Sequence, residues 1–294
     1  MTELIQEVVS GISIGAIYAM LALALVVIYR AAGVGNFAQG ALATLSAFLA
    51  WEFSRHGSPV IVAFLLALVA SFAIGSVVDV GLMRRLERGS HLTLVICTFG
   101  IYIGLEGLIG VIWGYTPLRP PALFPSTAVG PADLGISWSV IGVLATTAAI
   151  GLLMFLLFAK TRVGLNMRAV VSNRESSRLV GIKVGRTLMF GWGLACVVGG
   201  VAGILAAPTL YLQPTMLDDV LLYAFAGAVL GGMTSYLGAV LGSLIVGILQ
   251  AVLGTYVSFI GGELSPLVAL AIIWIVLLVR PQGLFGRELE HLPW

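Results

Sequence analysis

The stretch at residues 14–40, IGAIYAMLALALVVIYRAAGVGNFAQG, decides the fold. Together with the residues before it, it forms an apolar run over about 5–29 that contains the single acid Glu7 and no base. About 20 apolar residues in a helix cross the ~30 Å hydrocarbon core of a bilayer, so this run is long enough to span one. Arg30 closes it, and Gly33, Gly35, Asn36, Gln39 and Gly40 follow within ten residues. Irregular backbone at membrane depth is tolerated only inside protein or along a wet cavity. The stretch therefore reads as a spanning helix followed by a break enclosed by the rest of the chain.

The whole chain agrees. Of 294 residues, 60% are hydrophobic and 10% charged, and the mean hydropathy is +1.09. A soluble domain carries about 25% charged residues. The 37 glycines exceed the roughly 20 that an average usage of ~7% predicts. These values exclude a soluble globular enzyme, a disordered chain and a nucleic-acid binder, which needs a basic face. Cys97 and Cys196 lie in apolar runs and suit packing rather than a disulfide framework or a metal cluster. His56, His91 and His291 are far apart and form no H-E-x-x-H pair. The acidic N-terminus lacks the positive region of a secretory signal, so the first run is expected to be a retained helix.

Further spans are expected at about 59–83, 92–113, 136–159, 186–207 and 264–280. The stretches 36–53, 218–232 and 236–257 are apolar but Gly-rich, and the short 218–232 resembles a half-spanning helix. The expected fold is all-α: a polytopic membrane bundle of eight or nine passes with broken Gly-rich helices. With Arg30, the Arg84/Arg85/Arg88 cluster, the 160–186 loop and Arg280/Arg287 on one side, that side holds 13 of the 15 basic residues. The positive-inside rule makes it cytoplasmic. The N-terminus then lies outside and the C-terminus inside, which favours an odd number of crossings.

Two loops differ sharply. Residues 114–135 carry five of the 11 prolines (Pro117, Pro120, Pro121, Pro125, Pro131) and read as a stiff, irregular outer surface. Residues 160–186 carry seven bases and one acid, with a helix-compatible middle between Gly164 and Gly181. This loop predicts a short helix on the cytoplasmic face. Gly33 with Gly40-Ala41 recurs at equal spacing as Gly231 with Gly238-Ala239, the trace of a possible two-half repeat. Gly100-x3-Gly104, Gly227-x3-Gly231 and Gly238-x3-Gly242 predict close helix packing.

Intramembrane carboxylates are costly, roughly 2.5–3.5 kcal/mol at a helix centre on insertion scales. Asp79, a turn from Arg84, reads as the partner of that basic cluster. Glu106, two-thirds along the 92–113 run, has no local partner and is open to a structural or a pathway role. Asn36, Gln39, Thr44 and Ser46 form the polar set after the first span, where flanking glycines let backbone approach a solute. No G-x-G-x-x-G accompanies them, and no G-x-x-x-x-G-K-[ST] occurs, so nucleotide-driven work needs another chain.

On these residues the chain resembles the branched-chain amino acid permease family of ABC importers. The opening at 14–40, the loop TRVGLNMRAVVSNRESSRLVGIKVGR (161–186), the run AFAGAVLGGMTSYLGAVLGSLIVGILQ (224–250) and the tail RPQGLFG (280–286) match its motifs in order. The form resembled is the shorter of its two paired permease subunits, as a single membrane domain over 1–294. The resemblance implies a second permease subunit (a similar chain or a copy of itself), two cytoplasmic ATPase subunits and an extracytoplasmic solute-binding protein. It implies membrane lipid around the bundle, no nucleic acid, no cofactor and no catalysis in this chain. It places Asn36, Phe37, Gln39 and Gly40, with Tyr18 and Thr98, along the solute path. Gly164, Arg168, Asn173, Arg178 and Gly181 fall in the ATPase-coupling element. One departure concerns the turn itself, where the family often has His in place of Gln39 and an acid soon after Gly40. That leaves the solute open among hydrophobic amino acids, urea, short amides and aromatic acids. The rivals are a secondary transporter using Glu106 or Asp79 as proton carrier, and an intramembrane enzyme, for which no Ser/His, Cys/His or His/Glu set exists at membrane depth.

Overall fold

The computed structural model describes residues 2–86, 90–129, 136–256 and 265–286, and among them every extended element is a helix. In chain order these are α1 (Thr2–Ala32), α2 (Gln39–Arg55), α3 (Val60–Val78), a π-helical turn (Asp79–Met83), α4 (Arg84–Leu86), α5 (His91–Trp113) and α6 (Trp138–Lys160). Then come α7 (Arg162–Ser172), α8 (Arg174–Leu179), α9 (Val184–Leu210), α10 (Asp218–Gly231), α11 (Tyr236–Tyr256) and α12 (Ser265–Val279). Arg88, Pro131, Arg287 and His291 lie outside the described residues.

Six stretches are long and apolar enough to cross a membrane: Leu4–Ala32, Val60–Leu86, Leu92–Trp113, Trp138–Lys160, Val184–Leu210 and Tyr236–Tyr256. The other apolar stretches of the sequence become shorter helices, α2 with 17 residues, α10 with 14 and α12 with 15.

α1 is the axis. It is apolar on every side, and such a helix is stable only when surrounded; residues 19–28 are all fully buried. α6, α9, α10 and α11 pack around it. α11 comes close because a Cβ at Gly11 would stand 2.6 Å from Ile248 Cα. α9 is the second inner helix, touching α1, α2 and α3. Of the apolar cores of these spans, 83% of α1 and 72% of α9 is buried inside the protein, against 17% for α5 and for α6. The outer helices therefore turn mostly apolar side chains outward, as lipid requires.

α2 and α10 begin inside the bundle. α1 runs down to Arg30 at what we call the basic end; residues 33–38 then turn back, and α2 starts at Gln39. Gln39 Nε2 donates to the Ala195 carbonyl, eleven residues into α9, at 3.0 Å. α2 rises from there to the opposite end, where Trp113 Nε1 donates to Glu52 Oε2 at 2.9 Å. α9 reaches that end with Pro208 in its last turn; residues 211–217 turn back inward, and α10 descends from Asp218. The starts of these two half-length helices meet, Gly40 packing against the Leu217 carbonyl and the Leu221 side chain.

The proline loop laces the far end. Leu118 and Leu212 exchange backbone hydrogen bonds at 3.0 and 2.8 Å, and Pro120 and Pro121 line one small cavity with Trp51, Phe64 and Ala207. At the basic end, the inner loop forms two short helices in place of the single one expected. Thr161 caps α7 through Gly164 N–H, and Asn173 breaks the chain and caps α8 through Ser176 N–H at 2.9 Å. Asp79 holds Arg84 at 3.1 Å, with only 1% of its side chain exposed. The π turn between them brings residues five apart face to face.

The Gly227/Gly231 and Gly238/Gly242 motifs do pack within the chain: a Cβ at Gly231 would overlap the Gly238 carbonyl, and one at Gly242 the Gly227 carbonyl. Gly100 and Gly104 have nothing within 4 Å, so that motif makes no close contact among the described residues. The two glycine sets of the possible repeat differ in geometry. Gly33 and Gly40 bound a buried crossing, whereas Gly231 and Gly238 close a tight hairpin.

Candidate functional site

The residues around 33–40 are held from three sides. Gly33 takes a φ of +77°, which lets the chain reverse after α1. Asn36 and Gln39 are both fully buried. The Asn36 Oδ1 accepts from Ala38 N–H at 3.0 Å, and its Nδ2 donates to Gln39 Oε1 at 3.0 Å. With the Gln39 bond to Ala195, the two amides partner each other, the Ala38 N–H of the turn and one carbonyl of α9, as buried polar groups must. On the other side, Thr98 of α5, fully buried, accepts from Phe37 N–H at 3.3 Å while donating to the Val95 carbonyl at 2.7 Å.

Phe37 is the residue of this turn that reaches outward. It is half-buried, and its ring stacks on Phe99 of α5 at 4.4 Å and on Phe225 of α10 at 5.0 Å. Asn36, Phe37, Gln39, Gly40 and Thr98 thus form one cluster. Tyr18 stands apart from it: its hydroxyl donates to Gln250 Oε1 at 2.6 Å and its ring stacks on Tyr223 at 5.0 Å. Tyr223 and Phe225 are two residues apart on α10 and so project from opposite sides of it.

Beside the aromatic stack lies a set of oxygens. Tyr102 Oη donates to Asp218 Oδ2 at 3.0 Å. Glu106, one turn along α5, is half-buried beside Tyr102. Asp219, next to Asp218 at the start of α10, is exposed. The neighbour of Glu106 is thus a local one, Tyr102 on the same helix, which in turn reaches Asp218 of α10.

Sequence reading missed the glycines that make room for the turn. A Cβ at Gly199 would overlap Gln39 Nε2, and one at Gly203 would overlap the Ala43 carbonyl. The spacing Gly199-x3-Gly203 inside a long apolar run was the available signal. Above them Ser71 Oγ donates to Ser46 Oγ at 2.7 Å, tying α3 to α2.

The inner-loop residues occupy one surface. Gly164, Met167 and Val170 face the bundle, while Arg168, Asn173, Arg178 and Gly181 are exposed. A Cβ at Gly164 would overlap the Phe158 backbone. Beyond Arg178, Leu179 and Val180 are 88% and 76% exposed, two apolar side chains presented at the tip of a basic segment.

The comparisons with known proteins bear on the whole chain. The family described as branched-chain amino acid transport system / permease component matches residues 8–278. The high-affinity branched-chain amino acid transport system permease protein LivH of Escherichia coli (strain K12) is 26% identical over 299 residues, covering 96% of each chain. Its counterpart BraD of Pseudomonas aeruginosa is 26% identical over 301 residues, again covering 96% of each. Among solved structures, PsaBC from Streptococcus pneumoniae in complex with Fab matches with a TM-score of 0.51 at 13% identity, over 93% of this chain and 91% of that one. That likeness is one of fold.

Proposed function

This chain belongs to the family of branched-chain amino acid transport system permease components, and from that premise we propose that it is the membrane subunit of an ABC importer carrying branched-chain or similar hydrophobic amino acids into the cytoplasm. In this reading it pairs with a second permease, takes solute from an extracytoplasmic binding protein and is driven by two ATPase subunits. The chain itself is not an enzyme. It sits in the bacterial inner membrane with its basic end cytoplasmic and its N-terminus outside, α2, α10 and α12 adding to the six long spans. Urea, short amides and aromatic acids remain alternative solutes of the same machinery.

The observation that carries this reading is the meeting of α2 and α10 inside the bundle. Two helices that start from a common point halfway along α9, one rising and one descending, leave a seam between two ends of the protein. Phe37 stacks across it between Phe99 and Phe225. An apolar stack beside the Tyr102/Asp218 oxygens suits a solute with a hydrophobic side chain and an ammonium group. Asn36, Gln39 and Thr98 act here by fixing Phe37. Driven by the partner ATPases, such a seam would alternate between two states by population shift.

For coupling, the proposed contact is the α7–α8 elbow. Gly164 and Asn173 shape it, Gly181 with a φ of +85° ends it, and Arg178 with Leu179 and Val180 forms the tip. Arg168 belongs to the same segment but lines a separate cleft. Gradient-driven transport is the less favoured reading, because the relatives are transport-system permease components and, of its two candidate carriers, Asp79 is held by Arg84.

The test is reconstitution of the purified chain with its ATPases and binding protein in liposomes. Leucine-stimulated ATP hydrolysis and uptake support the reading; uptake by the chain alone along a proton gradient overturns it. In the same assay Arg178→Glu should cut coupled transport at least tenfold, since one buried charge contact is worth about 1.5–3 kcal/mol, while the chain still assembles in the membrane.

A further inference from the structure

At the basic end, three span termini surround a cleft of about 630 Å³. The last turn of α1 brings Arg30, α6 brings Phe155 and Phe158, the α10–α11 turn brings Ser235 and Tyr236, and α7 brings Arg168. Among the described residues, both charged side chains lining it are arginines and no carboxylate lines it. Arg30 donates to the Thr234 carbonyl at 3.2 Å, and its guanidinium lies 4.8 Å from the Tyr236 ring centroid. Tyr236 is 95% buried, and its hydroxyl makes no hydrogen bond of good geometry among the described residues. The exposed Arg168 has no acidic or hydrogen-bonded partner among the described residues. Two cations and an unsatisfied hydroxyl around one empty volume describe a receptor for an anion.

Its position says which anion. Phe155 and Leu237, 41% and 60% exposed, stand at the mouth; Leu152 and Leu241, 59% and 44% exposed, continue the outward faces of α6 and α11 about a turn deeper into the spans. Span termini lie at the depth where lipid phosphates meet the hydrocarbon core, and basic pockets between spans at that depth suit anionic headgroups. We propose that this cleft binds the phosphodiester headgroup of an anionic phospholipid, between Arg30, Arg168 and the Tyr236 hydroxyl, with its acyl chains along the Leu152/Leu241 face. The site is independent of which solute the protein moves.

Native mass spectrometry of the full chain in detergent, titrated with phosphatidylglycerol or phosphatidylcholine of the same acyl chains, tests this. The wild type should retain phosphatidylglycerol in preference to phosphatidylcholine, and Arg168→Gln should weaken that retention about tenfold, the loss of one charge-assisted contact. Arg162→Gln, exposed on the same helix but outside the cleft, is the control for general charge. Arg168→Gln is the chosen variant because Arg168 carries no structural hydrogen bond. Equal loss in Arg162→Gln, equal retention of both lipids, or unchanged retention in Arg168→Gln each overturns the proposal. Displacement of the lipid by millimolar glycerol phosphate would mean that a free phosphate is the ligand and would also overturn it. So would an Arg168→Gln defect confined to ATPase association, which would assign the cleft to a protein carboxylate.

Discussion

The chain folds back into its own interior twice, and the two inward turns are built differently. Residues 33–38 turn inside the protein, where the Asn36 amide and Thr98 take up backbone N–H groups of the turn and the Gln39 amide ties Asn36 to α9, all three side chains fully buried. Residues 211–217 turn at the end of α9 and lean on the proline loop. Leu212 pairs with Leu118, Arg119 donates to Tyr211 Oη at 2.6 Å, and Tyr211 adopts a φ of +62°. The first turn carries its own partners as side chains; the second borrows them from a loop. A closed amide network tolerates little change, because each missing group strands another, whereas a loop-braced turn can shift as the loop shifts. In the proposed transport cycle the first turn would therefore be the fixed side of the solute path and the second the movable one.

The sharpest way to break this contrast is at Gly199. Gly199→Leu would drive Gln39 off Ala195 and separate α2 from α9; overpacking of this kind costs about 3 kcal/mol and should appear as loss of the monodisperse protein in detergent. Asn36→Leu comes next. It leaves the Ala38 N–H and the Gln39 Oε1 buried without partners, at about 1–3 kcal/mol for such a group, and should lower the Tm and abolish transport of every solute. Tyr211→Gly probes the other turn. Glycine relieves a backbone strain of about 1–3 kcal/mol, which offsets the lost Arg119 contact, so thermal stability should stay within about 1 kcal/mol. If Tyr211→Gly is as damaging as Asn36→Leu, the two turns are alike and the contrast fails. Glu106→Gln should have the smallest effect, keeping nearly full transport and an unchanged pH profile. A large loss there would restore the proton-carrier reading.

The same contrast explains what the sequence could reveal. The first turn was legible at 33–40 because glycines beside buried-type amides inside an apolar context have few other uses. The Asp79–Arg84 pair was legible because both partners lie within six residues. The second turn was not, since Leu118 and Arg119 brace Leu212 and Tyr211 across more than ninety residues and nothing local marks the pairing. The cluster was legible only on one side for the same reason: Phe99, Tyr102, Asp218 and Phe225 look like ordinary span residues until α5 and α10 are brought to α2. Five of the six long spans followed from apolar length; the sixth, Tyr236–Tyr256, was obscured by its glycines. The stretch expected as a full span at 264–280 holds the 15-residue α12, while α2 and α10 are too short for hydropathy to place. That the inner loop breaks into two helices at Asn173 depends on one capping side chain, which a charge count does not see.

The central claim is that Phe37 faces the solute path while Gln39, two residues on, is sealed inside the scaffold. It is tested most directly by thiol labelling in a Cys97→Ala/Cys196→Ala background. Phe37→Cys and Gln39→Cys are each exposed to a water-soluble maleimide in the assembled transporter, with and without leucine-loaded binding protein. The account predicts that Phe37→Cys reacts and that the loaded binding protein changes its rate at least severalfold, while Gln39→Cys stays unreactive in both conditions. Equal labelling of the two positions, or a Phe37→Cys rate indifferent to solute, would contradict it.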